Sequence, residues 1–281
     1  MIDLHCHTTA SDGGLTPGEL IEKAYKEGLS TIAITDHDTV SGIEEAVGSA
    51  ENLQIEVIPG IELSSSFNNY ITEIHILGLF IDWKNSFLQE TLENLRQYRY
   101  NRNVKLIQNL ESAGIKISPD ELSKSLETAG KPNFGTALTK KGYAKNQAEA
   151  MKKFLSDKNG IAKTQKERLS IEDAIDVIHE AGGLAVLAHP HLIKKELGSV
   201  SALYEFVEKI KKLGLDGIEV FYHGYNKKMV KDLKRIARNT GLFASGGSDY
   251  HHMSFRNSRL GFYGPKKNIP GDLVEKMKKH L

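Results

Sequence analysis

Cysteine is almost missing from this chain. Its single thiol, Cys6, permits no intramolecular disulfide, so the 281 residues must fold without covalent staples, and a reducing, cytoplasmic setting is expected. An excess of one charge is missing too: 37 Lys and Arg against 36 Asp and Glu leave a formal net charge of +1. No overall field draws such a chain onto duplex nucleic acid or an anionic bilayer, and an anionic substrate has to be met locally. Long apolar runs are also absent. No stretch approaches the roughly 20 apolar residues of a spanning helix, and the opening MIDLHCHTTASDGG lacks the basic region and apolar core of a signal peptide. No membrane partner is expected.

What is there is a chain with 40% hydrophobic residues, long enough to bury a large core. Short β-branched runs alternate with helical stretches, which favours a largely parallel sheet or barrel. The expected strands are 2–6, 31–35, 55–62, 73–80, 184–188, 217–221 and 242–245. Capping boxes mark helix starts at Thr16 with Glu19 and at Ser41 with Glu44, and Pro17 suits a first helical position. Between about Trp83 and Arg168 the alternation breaks, and residues 83–164 read as an inserted helical subdomain between barrel segments 1–82 and 165–281. Its first helix, Lys84 to Ala113, carries a packing stripe that includes Phe87, Leu92, Tyr98 and Leu110. Ser118 with Glu121 predicts the start of a second.

Chemistry-bearing side chains gather where these strands end. His5 and His7 stand two apart on one strand, so both imidazoles face the same side, and Asp12 follows in the next loop. The second strand runs into Asp36, His37 and Asp38; the third ends at Glu62, and His75 lies within the fourth. His189 follows the 184–188 run, and Ser248, Asp249 and His251 follow the last strand. In parallel α/β architectures such ends form one face. Burying His, Asp and Glu there without partners costs several kcal/mol each, so a cluster of divalent cations is expected to compensate them. His179 and His280 read as surface or packing residues. His191, His223 and His252 sit in loops beside the site strands, where solvation is the ordinary state; His223 is kept as a substrate contact.

The set formed by H-x-H with Asp12, I-T-D-H-D (34–38), P-G-I-E (59–62), A-H-P (188–190) and G-S-D-Y-H (247–251) resembles the PHP (polymerase and histidinol phosphatase) family. The resemblance implies an α/β fold, a distorted seven-stranded (β/α)7 TIM-like barrel with a helical insertion, and two or three Mn, Fe or Zn ions. One ion would take His5, His7, Glu62 and Asp249, a second Asp12, His37 and His251, and a third His75 and His189 with Glu62 bridging. Asp36, Asp38 and Ser248 would orient the ligand imidazoles. A metal-bridging hydroxide would attack the phosphorus of a small phosphorylated substrate, a nucleotide or short oligonucleotide.

The insertion resembles that of a stand-alone bacterial subgroup acting on nucleoside 3′,5′-bisphosphates and on short RNA from the 5′ end. That subgroup's G-R-P-H segment corresponds to Gly130, Lys131, Pro132 and Asn133, so a point charge replaces a guanidinium fork. Arg99, Arg102, Asn103, Lys131, Asn133 and Arg256 complete the expected substrate contacts. Competing expectations are a phosphatase for histidinol phosphate or another small monoester, an amidohydrolase, and a non-catalytic PHP module. The amidohydrolase reading suffers because Glu62 stands where those barrels commonly carry a carbamylated Lys.

Overall fold

Apolar β-branched runs become strands here because both faces of the resulting sheet are covered, which lets Thr31–Ile34 and Leu184–Leu187 be buried along their whole length. The computed structural model describes residues 1–67, 73–156, 159–164, 168–252, 258–264 and 266–281. The chain begins with β1 (Ile2–Asp3), α1 (Pro17–Lys26), β2 (Thr31–Ile34), α2 (Ile43–Ala50), β3 (Glu56–Ser66) and β4 (Ile74–Leu79). It continues through α3 (Ser86–Ser112), α4 (Lys131–Lys140), α5 (Gln147–Ala150), β5 (Leu169–Ser170), α6 (Ile171–Glu180) and β6 (Leu184–Leu187). Last come α7 (His191–Leu197), α8 (Val200–Lys211), β7 (Gly217–Tyr222), α9 (Lys227–Thr240), β8 (Phe243–Gly247), the β9–β10 pair (Phe262–Gly264, Lys267–Asn268) and α10 (Leu273–Met277).

These elements fall into two compact units, Met1–Gln89 with Leu169–Leu281, and Glu90–Arg168. In the first, a mixed sheet runs β1-β2-β3-β4-β6-β7-β8, with β5 added beside the end of β3. Beyond Asp3 the first strand meets the last. Leu4 N–H donates to Gly246 O at 3.2 Å and His7 N–H to Tyr250 O at 2.9 Å, so the seven strands nearly close as a barrel. One strand departs from the expected parallel order. β4 is antiparallel to both neighbours, with Ser64 opposite His75 and Ile76 opposite Leu187. Directionality is invisible in a β-branched run, and β3–β4 is a hairpin rather than a helix-linked pair.

Helices pack around this sheet through apolar stripes. α1 buries Leu20, Ile21 and Ala24, α6 buries Ala174, Ile175 and Ile178, and each leucine or isoleucine among them contributes roughly 1.5–3 kcal/mol. The Thr16 hydroxyl accepts Glu19 N–H while the Glu19 carboxylate accepts Thr16 N–H, as expected, with Pro17 first in the helix. The Ser41–Glu44 box does not form. Gly42 precedes α2 with helical φ and ψ, and Ser41 N–H is instead satisfied by Thr39 Oγ1. No helix of the described residues is long and apolar enough to cross a membrane.

The second unit has its own core around Leu106, Leu110, Phe134, Leu138, Phe154 and Leu155. Two expectations change here. Ser118 and Glu121 close a single 3-10 turn, Pro119–Glu121, because Leu122 returns at once to extended backbone. The stripe on α3 also differs. At about 100° per residue Leu92, Asn103, Leu106 and Leu110 line up and are buried, whereas Phe87 and Tyr98 turn away from that line and are 48% and 49% exposed.

Candidate metal centre

The first strand's continuation carries His5 and His7 into the barrel, both fully buried, with ring centroids 5.2 Å apart. Glycine at 247 is what allows the last strand so near: a Cβ there would collide with the Cβ and backbone of His5. Where β2 ends, His37 bridges to Glu62 on β3, and Asp38 N–H donates to Glu62 O at 3.0 Å. The reversed direction of β4 brings its first residues to the same face as the ends of its neighbours. That places His75 beside β6, where Ala188 N–H donates to His75 O at 3.1 Å, one residue before His189.

Glu62 stands at the middle of the resulting cluster. Oε2 lies 3.3 Å from His5 Nε2, 3.2 Å from His7 Nε2 and 3.0 Å from His37 Nδ1. Oε1 lies 2.9 Å from His75 Nδ1 and 3.0 Å from His189 Nε2. Asp249 Oδ1 is 3.4 Å from His5 Nε2 and 3.2 Å from His7 Nε2, and Asp12 Oδ1 is 3.3 Å from His251 Nε2. Three overlapping groups have donor atoms within 4.8 Å of one another: His7, Asp12, His37 and His251; His5, His7 and Asp249; His37, Glu62 and His75. His7 and His37 each belong to two of these groups.

The polar atoms at the centre are left wanting. His5 Nε2, both nitrogens of His7, His37 Nδ1 and Glu62 Oε2 are buried without a hydrogen-bond partner. Such atoms cost about 1–3 kcal/mol each when unsatisfied, and imidazole nitrogens mixed with carboxylate oxygens are the donors that divalent transition metals take. The residues fit a metal cluster. Without cations, proton charge takes their place. Burial opposes the imidazolium of His7, but the carboxylates of Asp249 and Glu62, each 3.2 Å from its Nε2, overcome it and push His7 up to about 10. His75 is likewise pushed up to about 10, against burial, by Glu62 and Glu73. His37 moves the other way, lowered to about 4 by burial and by the charges of His7 and His75. Glu62 and Asp249 are held well below the carboxylate range, the imidazoles around them outweighing burial.

A surrounding layer fixes these side chains. Glu219, on β7 and fully buried, contacts His5 Nδ1 at 3.0 Å and accepts His189 N–H at 2.7 Å. Tyr222 donates its hydroxyl to Asp249 Oδ2 at 2.7 Å. Neither residue was expected. The available signal was a carboxylate inside the apolar run Gly217–Phe221, where an unpaired charge has no place. Asp36 accepts from Thr8 N–H and Oγ1 at 2.7 Å and from Ser11 Oγ at 2.5 Å, clamping the loop that carries Asp12 rather than an imidazole. Asp38 accepts Ser64 N–H at 2.8 Å, and Ser248 N–H donates to Asp3 at 2.9 Å, so both tie backbone segments together. Asp38, His189 and Asp249 have φ of 51°, 30° and 52°, a strained region for side-chain-bearing residues, and all three border the cluster.

The expected substrate residues are distributed differently. Arg99, Arg102, Asn103, Lys131 and Asn133 belong to the second unit. There Arg102 donates to Asn103 Oδ1 and Ala129 O, and the buried Asn103 amide donates to Leu126 O and Ala129 O. Asn133 accepts Gly130 N–H at 2.8 Å and so caps α4, whose first residue is Lys131. His223 is half-buried in the loop after β7, and Arg256 lies outside the described residues. His191 shares hydrogen bonds with the Tyr225 hydroxyl, and His179 pairs with Asp216 at 2.8 Å.

Comparison with known proteins decides the family. The PHP domain model matches residues 3–151, more than half of the chain. The chain belongs to the PHP family. This PHP protein is 36% identical over 251 residues to a 5′-3′ exoribonuclease of Haemophilus influenzae, covering 89% of each chain. It is 33% identical over 254 residues to a 3′,5′-nucleoside bisphosphate phosphatase of Chromobacterium violaceum, covering 89% of this chain and 87% of that one. Its fold matches that of a Bifidobacterium adolescentis protein assigned as a metal-dependent phosphoesterase, with a TM-score of 0.78, 28% identity and coverage of 98% and 94%. The PHP protein is therefore a metal-dependent phosphoesterase, a hydrolase built on the PHP fold.

Proposed function

We propose that this enzyme removes the 3′-phosphate of nucleoside 3′,5′-bisphosphates and trims short RNA from the 5′ end, using two or three Mn, Fe or Zn ions in a reducing, cytoplasmic setting. The carrying observation is the Glu62 carboxylate with imidazoles of His5, His7, His37, His75 and His189 at 2.9–3.3 Å, several with buried, unpartnered nitrogens. The two relatives supply the substrate class by their names, a nucleoside bisphosphate and an RNA 5′ end.

His5, His7, Glu62 and Asp249 would hold one ion, Asp12, His37 and His251 a second, and His75 and His189 a third, with Glu62 shared. Divalent cations bound there would supply Lewis acidity, neutralising phosphoryl charge and acidifying water. The chain's part is to hold the donors in place. Glu219 keeps His5 oriented, Tyr222 keeps Asp249 oriented, and Asp36 fixes the loop bearing the half-exposed Asp12. Arg102, Lys131 and Arg256 are proposed to read a second phosphate, and Arg99, Asn103, Asn133 and His223 are proposed as further substrate contacts. Phosphate release from adenosine 3′,5′-bisphosphate, compared with His37→Ala and with histidinol phosphate as a second substrate, tests this reading. Release from the bisphosphate that is metal-dependent and lost in the variant is expected; no metal-dependent release would overturn it.

A further inference from the structure

Away from the cluster, the outer face of α9 carries a one-sided charge pattern. Lys227, Lys231, Lys234, Arg235 and Arg238 recur at intervals of three and four residues, so they form one exposed stripe roughly 16 Å long at 1.5 Å per residue. The opposite face buries Met229, Val230, Leu233, Ile236 and Ala237 against the barrel. Among the described residues Asp232 pairs with Arg235 at 3.4 Å, and the charge of Lys234 also reaches Asp272. In a chain with net charge +1, such a concentration is local.

The stripe forms one wall of a groove of about 480 Å³, within the size range of ligand sites, and Tyr263 and Lys267 contribute to the other wall. One aromatic ring, Tyr263, lines the groove among the cations. Tyr263 packs edge-on to Phe221 at 5.2 Å, Lys234 lies 4.9 Å over Phe221, and Lys267 lies 5.6 Å over Tyr263. A backbone bond ties the rim of the groove to the loop that follows β7. Gly224 N–H donates to Tyr263 O at 3.1 Å, two residues after Tyr222, whose hydroxyl holds Asp249.

We propose that this groove binds the body of a single-stranded nucleic acid whose end is processed at the metal cluster, the cations following its phosphates and Tyr263 offering a stacking surface. The proposal rests on the phosphoesterase substrate reading above and extends it from the reacting nucleotide to the strand behind it. Lysines and arginines spaced along a groove track a phosphate backbone, and an interleaved aromatic ring selects bases over a bare polyanion.

The test uses fluorescence anisotropy of a ten-nucleotide, phosphorothioate-linked single-stranded RNA bound to the metal-loaded enzyme, with Lys227→Gln/Lys231→Gln/Arg238→Gln and Tyr263→Ala as variants. For the wild type, affinity should fall steeply with salt. The triple variant should bind about tenfold more weakly, with its log–log salt slope reduced by roughly 2, and Tyr263→Ala should weaken binding about fivefold or more. Hydrolysis of adenosine 3′,5′-bisphosphate should stay within about twofold of wild type in both variants, which also reports intact folding. Unchanged RNA affinity and salt slope in the triple variant would overturn the proposal, as would a wild-type affinity insensitive to salt. Equal weakening toward heparin and RNA, with no effect of Tyr263→Ala, would reassign the groove to polyanions in general. Because anisotropy reads binding without turnover, a wild type that binds RNA through the groove but leaves the bisphosphate intact would sink the substrate reading alone.

Discussion

Glu219 Oε1 sits 3.0 Å from His5 Nδ1 while its Oε2 accepts the backbone N–H of His189 at 2.7 Å, so one buried carboxylate braces two residues of the cluster from opposite edges. A carboxylate behind an imidazole fixes its tautomer and raises its basicity as a ligand.

Glu219→Gln should therefore lower metal affinity about 10- to 100-fold while leaving the fold intact. Titrating metal-stripped protein with Mn²⁺ measures this, and activity should recover at high metal concentration. Unaltered affinity would show that Glu219 only fills space.

Metal loading should expel protons. Without metal, burial disfavours the charged forms, yet the neighbouring carboxylates push His7 and His75 up to about 10, so both carry a full proton charge at pH 7. A ligand imidazole must be neutral. Calorimetry in two buffers of different ionisation enthalpy should give net proton release at pH 7, and apparent affinity should climb as pH rises toward 9.

The same shifts fix how the metal-free protein responds to pH. Both folded-state values exceed the ordinary histidine value of about 6.5, so their stabilising contribution is complete below that pH and lost as pH rises through about 10. Urea denaturation of metal-free protein should show stability from this source declining between those limits. A rise across that window in wild type, absent from a His7→Gln/His75→Gln double variant, would contradict the assignment.

Removing metal should loosen the whole first unit. Cations that bind the folded state at 100 times their Kd add about 2.7 kcal/mol, so chelation should lower Tm by several degrees and abolish hydrolysis together. Re-addition of Mn²⁺ should restore both.

Asp36→Ala should cost about 3 kcal/mol, because charge-assisted bonds from Thr8 and Ser11 are lost and the buried Thr8 donors are left without their acceptor. Denaturation midpoints check the stability. Weaker metal binding through the loosened Asp12 loop should accompany it.

Much of the barrel was legible because apolar runs ending in His, Asp or Glu combine a local propensity with a burial cost. That combination singled out His5, His7, His37, Glu62, Asp249 and His251, which the fold brings together. Strand direction was not legible: the antiparallel course of β4 depends on tertiary pairing, yet it explains why His75 near a strand's beginning meets residues at strand ends. Glu219 and Tyr222 escaped because their run looks like ordinary strand interior, and their importance arises only from partners far along the chain. Asp36 was noticed for its charge but clamps a loop, since hydrogen-bond partners depend on rotamers that spacing does not specify. The Ser41–Glu44 box failed because its pattern is necessary for a cap and a helical Gly42 took the helix's first turn instead.

The seam between the first and last strands has a consequence for the newly made chain. Asp3 and Ser248, which pair across it, are 245 positions apart, and His5 and His7 emerge from the ribosome long before Asp249 and His251 exist. Closing so long a loop carries an entropic cost and favours slow, late formation. The complete cation cage thus needs both ends of the barrel, and tight metal retention should mark chains in which this seam has closed correctly.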